Sequence, residues 1–207
     1  CALPISLVAP PPPDPLPGGW LESAIAAEAR VMTPDGPRAA GLLAAGQRVL
    51  TLDGGAMPLL WVGRVSLSAR QIAGNPALAP LRIPAHTMEG GAPRRPLRLS
   101  PRAGLCLSLP QAPDGALVPA CAVAGLEGIE PAATAPGTYV QLFPPRPALV
   151  AADGLEVETL HPDRLRPTRA DRAVWSAICA LRPELEHAPS LYGPPVRPRL
   201  RWPVPGV

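Results

Sequence analysis

The chain has 207 residues, enough for one domain of ordinary size or for a smaller domain with tails. Hydrophobic residues make up 47%, which supports a buried core, while 33 prolines argue against a long helical bundle because Pro interrupts helices. The net charge of +3 is too small to indicate a nucleic-acid partner, and no apolar run is long enough to cross a bilayer as a helix.

Every basic residue is Arg; with abundant Ala, Pro and Gly this points to a GC-rich, bacterial genome. Cys1, Cys106, Cys121 and Cys179 show no C-x-x-C spacing, which argues against a structural zinc site. Cys106 and Cys121 are candidates for a bridge. Cytoplasmic and secreted or surface locations both stay open.

Residues 1–20 are Pro-rich and lack the basic start of a signal peptide, so polyproline II or disorder is expected there. Cys1 is either an arbitrary first residue or the lipidated start of a surface lipoprotein. Residues 21–160 read as a β domain of short strands separated by turns. Arg30 to Thr33 leads into Pro34-Asp35-Gly36, a turn signal. Arg48 to Leu52 precedes Asp53-Gly54-Gly55, a hairpin signal, with Leu59 to Val65 as the return strand. Further strands are expected at Leu97 to Leu99, Leu105 to Leu109, Ala116 to Val118, Tyr139 to Leu142 and Ala148 to Ala151. Pro113-Asp114-Gly115 and Asp153-Gly154 mark further turns. This spacing predicts an all-β fold, a sandwich or β-roll, rather than a parallel α/β sheet.

Residues 161–207 are expected to hold one helix, about 168–182, and a Pro- and Arg-rich tail from 188. Thr168 and Asp171 read as a capping box, Val174, Ile178 and Leu181 as a buried face, and Pro183 as the stop. Trp61 and Trp175 read as core anchors, with Trp61 largely buried. Arg164, Arg166, Arg169 and Arg172 form a basic patch, read as a solvated face.

Two stretches go beyond a generic β pattern. Val31 to Arg64 contains Gly46-Gln47-Arg48-Val49-Leu50-Thr51, Asp53-Gly54-Gly55 and Pro58-Leu59-Leu60-Trp61-Val62-Gly63-Arg64. In that order and spacing they resemble the opening of bacterial Hint domains, the hedgehog/intein autoprocessing superfamily. Gly137 to Leu160 looks like the closing strands of the same domains. Leu99-Ser100-Pro101 resembles the start of the family's Ser/Thr-Pro-x-His block, and Asp114 to Pro119 the strand after it. The resemblance implies a β horseshoe in which a Cys or Ser attacks the carbonyl of the residue before it. A His protonates the departing amide nitrogen.

The resemblance also implies which positions would carry that chemistry. Counting back from Thr33-Pro34-Asp35-Gly36, the family Cys falls at Ala24. The block His falls at Ala103, and two further His positions fall at Gln141 and Pro147. The terminal His-Asn of splicing inteins has no counterpart, since Asn75 is mid-chain. A methyl group is neither nucleophile nor base, so the expected protein is a degenerate Hint domain, deficient in autoprocessing and serving as a structural or interaction module with a protein partner. An active alternative uses Ser23, one residue from the expected nucleophile, for an N-to-O acyl shift, with His86 reaching in from a loop. Cys106 reads as a small buried hydrophobe. His161-Pro162-Asp163 reads as a turn in which a His–Asp pair or a metal site is conceivable, though a third ligand is lacking. No cofactor or metal is expected.

Overall fold

The computed structural model describes residues 22–133, 136–165 and 171–200. In chain order the elements are β1 (Ala24–Ala26), β2 (Arg30–Thr33), β3 (Gly36–Ala39), β4 (Arg48–Thr51), β5 (Gly55–Pro58), β6 (Trp61–Leu67) and α1 (Ala69–Gly74). Then come β7 (Leu81–Ile83), β8 (Leu97–Leu99), β9 (Gly104–Leu109), β10 (Ala112–Pro119), β11 (Glu130–Pro131), β12 (Gly137–Phe143), β13 (Leu149–Ala152), β14 (Leu155–Glu158) and α2 (Arg172–Leu181).

The strands form two antiparallel sheets. One runs β11-β7-β8-β1-β12-β6, and the other runs β10-β9-β14-β13-β2-β3 with the β4–β5 hairpin attached to β13. Alternation builds them: in β2, Val31 and Thr33 are buried between exposed Arg30 and Met32. The inward side chains of both sheets meet in one core, with Ile25, Leu99 and Val140 from the first and Val31, Val150 and Val157 from the second. The expected all-β class is observed, with two short α-helices.

The β13–β14 turn shows how local chemistry fixes a hairpin. Asp153 has φ +49° and Gly154 has φ +91°, the left-handed pair that a two-residue hairpin loop requires. Asp153 is tied down there: the Arg30 amide donates to its Oδ2 at 3.1 Å, and Arg95 Nε donates to Oδ1 at 2.8 Å.

Several expectations need correction. The partner of β4 is β5, not the Leu59 to Val65 stretch, because Leu59 and Leu60 break the strand and β6 crosses to pair with β12 in the other sheet. The hairpin between β9 and β10 turns at Pro110-Gln111, while Pro113-Asp114-Gly115 lies inside β10 at a register shift. Helix α1 was not anticipated; it opens on a capping box between Ser68 and Gln71. Helix α2 starts at Arg172, and the Asp171 side chain makes no capping hydrogen bond. Thr168, Arg166 and Arg169 lie outside the described residues, as do residues 1–20. Leu181 is exposed rather than on the buried face.

Residues 188–200 are not a loose tail. Tyr192 is buried, stacks on Phe143 with ring centroids 5.0 Å apart, and donates its hydroxyl to the Pro144 carbonyl at 2.9 Å. With Leu160, Val174, Ile178 and Leu185 they form a separate cluster that seats α2 on the domain. Trp61 leans on this cluster but is only half-buried, its ring lying over Gly63. A Cβ at Gly63 would come within 2.1 Å of the indole, so this position has no room for a side chain.

Deleting the fully buried Ile178 side chain is expected to cost about 2–5 kcal/mol, read by urea unfolding. Trp61→Ala is expected to cost less than the roughly 3–5 kcal/mol of a fully buried aromatic. A larger Trp61 than Ile178 effect would contradict this packing.

Candidate functional site

The start of β1 is the place where distant elements converge. Strand β1 lies between β8 and β12 and is buried on both faces. Ala24 opposes Gln141 of β12, while Ile25 opposes Leu99 of β8. Just past β8, Ser100 exchanges two hydrogen bonds with Ala24. The Ala24 amide donates to Ser100 Oγ at 3.0 Å, and the Ser100 amide donates to the Ala24 carbonyl at 2.8 Å. The Ser100–Ala103 turn closes with the Ala103 amide on the Ser100 carbonyl at 3.0 Å. Ala24 and Ala103 are both fully buried.

The peptide links before Ala24 are held as firmly. Gln141 Nε2 donates to the Glu22 carbonyl at 2.9 Å in a buried setting. Ser23 has φ +50°, a conformation that costs a non-glycine residue about 1–2 kcal/mol. Its hydroxyl is buried with no hydrogen-bond partner among the described residues. A cavity of about 340 Å³ bounded by Trp61, Gly63, Val65, Ala173 and Val174 reaches Gln141 from the α2 side.

Glu22 anchors this entry. Its buried carboxylate takes Arg164 Nε at 2.7 Å and Arg102 Nη1 at 3.4 Å, and Arg164 also donates to the Arg102 carbonyl at 2.9 Å. Arg164 is thus an internal counter-ion rather than part of a solvated face. The Cys121 thiol feels the same charges: burial pushes it up, Arg102 and Arg164 pull it back, and the net direction is upward. The Glu22–Arg102–Arg164 cluster was not foreseen, because its members are 80 and 142 residues apart.

The remaining candidates lie elsewhere. His86 sits in an exposed loop, its Nδ1 3.0 Å from the Gly91 carbonyl. Pro147 packs by Gly193 in the C-terminal region. Cys106 and Cys121 are both free thiols, so the bridge between them does not form. Burial and Glu156 push Cys106 up to about 11, which leaves it protonated at neutral pH. His161 and Asp163 do pair, with Nδ1 at 2.6 Å from Oδ1, and His161 Nε2 lies 3.1 Å from the Gly193 carbonyl. Asp163 also takes Arg199 at 2.7 Å. Among the described residues no group of three or more His, Cys, Asp or Glu side chains is placed to hold a metal. No helix among them is long and apolar enough to cross a membrane.

The fold is thus two antiparallel sheets with two short α-helices, and it seats the start of a central strand between a Ser-Pro turn and Gln141 of the neighbouring strand. Residues 23–164 match the family described as the Hint domain, and the chain belongs to that family. Among solved structures it is similar to a bacterial intein-like domain from Clostridium thermocellum, at 12% identity and TM-score 0.46, over 67% of this chain and 99% of that one. It is also similar to the MchDnaB-1 intein, at 14% identity and TM-score 0.44, over 66% and 99% of the two chains. The gp41-1 intein gives 14% identity and TM-score 0.40 over 65% and 96%. No curated protein matches the chain.

Ser100→Ala strands the Ala24 amide in a buried strand, so it is expected to cost about 1–3 kcal/mol in urea unfolding. Desolvation raises the Asp163 carboxyl, but hydrogen bonds from His161 and Arg199 outweigh it and hold it below the ordinary carboxylate range. A lowered folded value means its stabilisation is complete above the ordinary range and disappears as pH falls through the lowered value. Titration of the Asp163 carboxyl by NMR is expected to show a midpoint below that of a model aspartate, and Arg199→Gln is expected to move it upward.

Proposed function

We propose that this Hint domain is deficient in autoprocessing and acts as a structural or interaction module. The observation that supports it is that Ala24, whose backbone is held by Ser100 and paired opposite Gln141, carries only a methyl group where the family resemblance calls for a nucleophile. Ala103, in the Ser100 turn, offers no imidazole. An acyl shift needs both a nucleophile on the preceding carbonyl and an acid for the leaving nitrogen. Losing both together leaves only what oriented amides contribute. Degeneracy of the site is compatible with the fold, since a buried alanine fits the strand without rearrangement.

A second reading keeps activity at Ser23. Three features favour it: the left-handed backbone, the unpartnered buried hydroxyl, and the Glu22 carbonyl already receiving Gln141 Nε2. In that reaction Ser23 Oγ attacks the Glu22 carbonyl carbon, and the Glu22–Ser23 amide breaks. The hydroxyl proton ends on the Ser23 nitrogen, giving an ester and a free amine. Gln141 would stabilise the oxyanion.

A fusion carrying a reporter ahead of residue 22 is expected to keep its intact mass over days, with or without thiol or hydroxylamine. Ala24→Cys with Ala103→His is expected to give thiol-sensitive cleavage just before residue 24, at a packing cost of about 1–3 kcal/mol for each enlarged buried side chain. Hydroxylamine-sensitive cleavage of the unmodified chain that vanishes in Ser23→Ala would replace the first reading by the second.

A further inference from the structure

The outer edge of β10 is not bare. The Leu117 amide donates to the Pro198 carbonyl at 2.9 Å, and the Leu200 amide donates back to the Leu117 carbonyl at 2.9 Å. Arg199 therefore lies opposite Leu117 as a one-rung parallel strand. Pro198 has no N–H and keeps the ladder short. Edge strands take added strands readily, because their backbone groups point outward unpaired.

The side chains make this edge selective. Val196 packs on the apolar patch of Cys106, Leu117 and Leu149. Arg197 Nη2 meets Asp53 at 2.8 Å, and its Nε donates to the Asp114 carbonyl at 2.8 Å. Arg199 reaches Glu158 at 2.6 Å and Asp163 at 2.7 Å. The Glu158 side chain is only 1% exposed, and the one ion pair it makes among the described residues is with Arg199. A carboxylate so buried is costly without a cation. Glu158 also closes on Gly104, where a Cβ would lie 2.8 Å from Oε2, so β9 leaves it room only by omitting a side chain. Sheet edge, apolar patch and two acidic sockets thus match an extended Val-Arg-Pro-Arg-Leu segment at four consecutive points.

We propose that the β10 edge is a docking site for extended Arg-Pro-Arg peptides, closed in this chain by its own Val196–Leu200 segment. The ligand class is a basic, proline-interrupted strand with an aliphatic residue just before the first Arg. The proposal deepens the interaction-module reading and rests on it for its biological use. Its failure is distinguishable from failure of that reading, because autoprocessing is read by mass at residues 22–24 and docking is read by peptide binding at β10.

The test inserts a protease recognition sequence between Pro194 and Pro195 of the full chain and cuts it after folding. A labelled peptide of residues 195–202 is then titrated in. The nicked chain is expected to bind it saturably, the uncut chain at least about tenfold more weakly, since a tether keeps its own segment at high effective concentration. A peptide carrying Arg197→Glu and Arg199→Glu is expected to lose about tenfold or more in affinity. A nicked chain with unchanged near-ultraviolet circular dichroism that binds neither peptide, or both equally, overturns the proposal. So does equal binding by cut and uncut chains. If the cut chain unfolds, amide exchange in the uncut chain decides. Arg197→Glu with Arg199→Glu is expected to speed Leu117 exchange about tenfold or more while Val150 is unchanged. Unchanged Leu117 exchange overturns the proposal.

Discussion

Strand β1 is three residues long, and two strands and two hydrophobic clusters depend on it. Ile25 faces the core shared by both sheets, while Ala24 and Ala26 face the cluster capped by Ile72 of α1. Strands β8 and β12 do not pair with each other; each is joined to β1. At its start β1 has its backbone groups engaged by Ser100, and just beyond its end the Ala27 amide donates to Thr138 and its carbonyl accepts from Gly41, each at 2.8 Å. The tightness there is steric as well: a Cβ on Gly41 would lie 2.9 Å from that of Ala27.

This constraint separates scaffold from chemistry. What the fold requires at position 24 is an amide for Ser100 and a side chain small enough to be fully buried. It is indifferent to whether that small side chain reacts. The same holds for Gln141, whose amide group grips the Glu22 carbonyl and so fixes the approach to the strand. At position 24 the contact that holds the fold is made by the backbone, whereas at position 141 it is made by the side chain, and fold alone does not define activity.

Much of the β architecture was legible because its punctuation is local. Asp53-Gly54 and Asp153-Gly154 turn where their chemistry says, and Leu97–Leu99 falls within the expected bounds. Errors arose where local signals mislead. Leu59 and Leu60 are apolar and read as strand, but the Leu59 amide still bonds to the Gln47 carbonyl beside β4 while that of Leu60 bonds to Phe143 of β12, so the chain changes sheets between them. Six residues are too few for α1 to show helical periodicity, although Ser68 and Gln71 carry its capping signal. Proline content made residues 188–200 look loose, while their anchors, Tyr192 and the two Arg side chains, act through partners far away in sequence. For the candidate site the sequence marks positions rather than contacts. Family pattern pointed to Ala24, Ser100 and Gln141, which the fold brings together, but gave no sign of Glu22 with its two guanidinium partners.

The long spans of these contacts bear on how the molecule is made. Strand β1 leaves the ribosome before its partners: its Ser100 contact spans 76 residues and the Glu22 anchor spans 142. Until then β1 has no neighbour in its sheet, and contacts so distant in sequence slow folding. Glu158 is translated 41 residues before the guanidinium that neutralises it. Until Arg199 emerges, closing the two sheets buries the Glu158 side chain without the guanidinium that partners it in the finished domain, which is costly. Completion of the domain is in this way coupled to translation of residues 196–200, and a chain stalled short of that point would present chaperones and proteases with a bare β10 edge rather than a covered one.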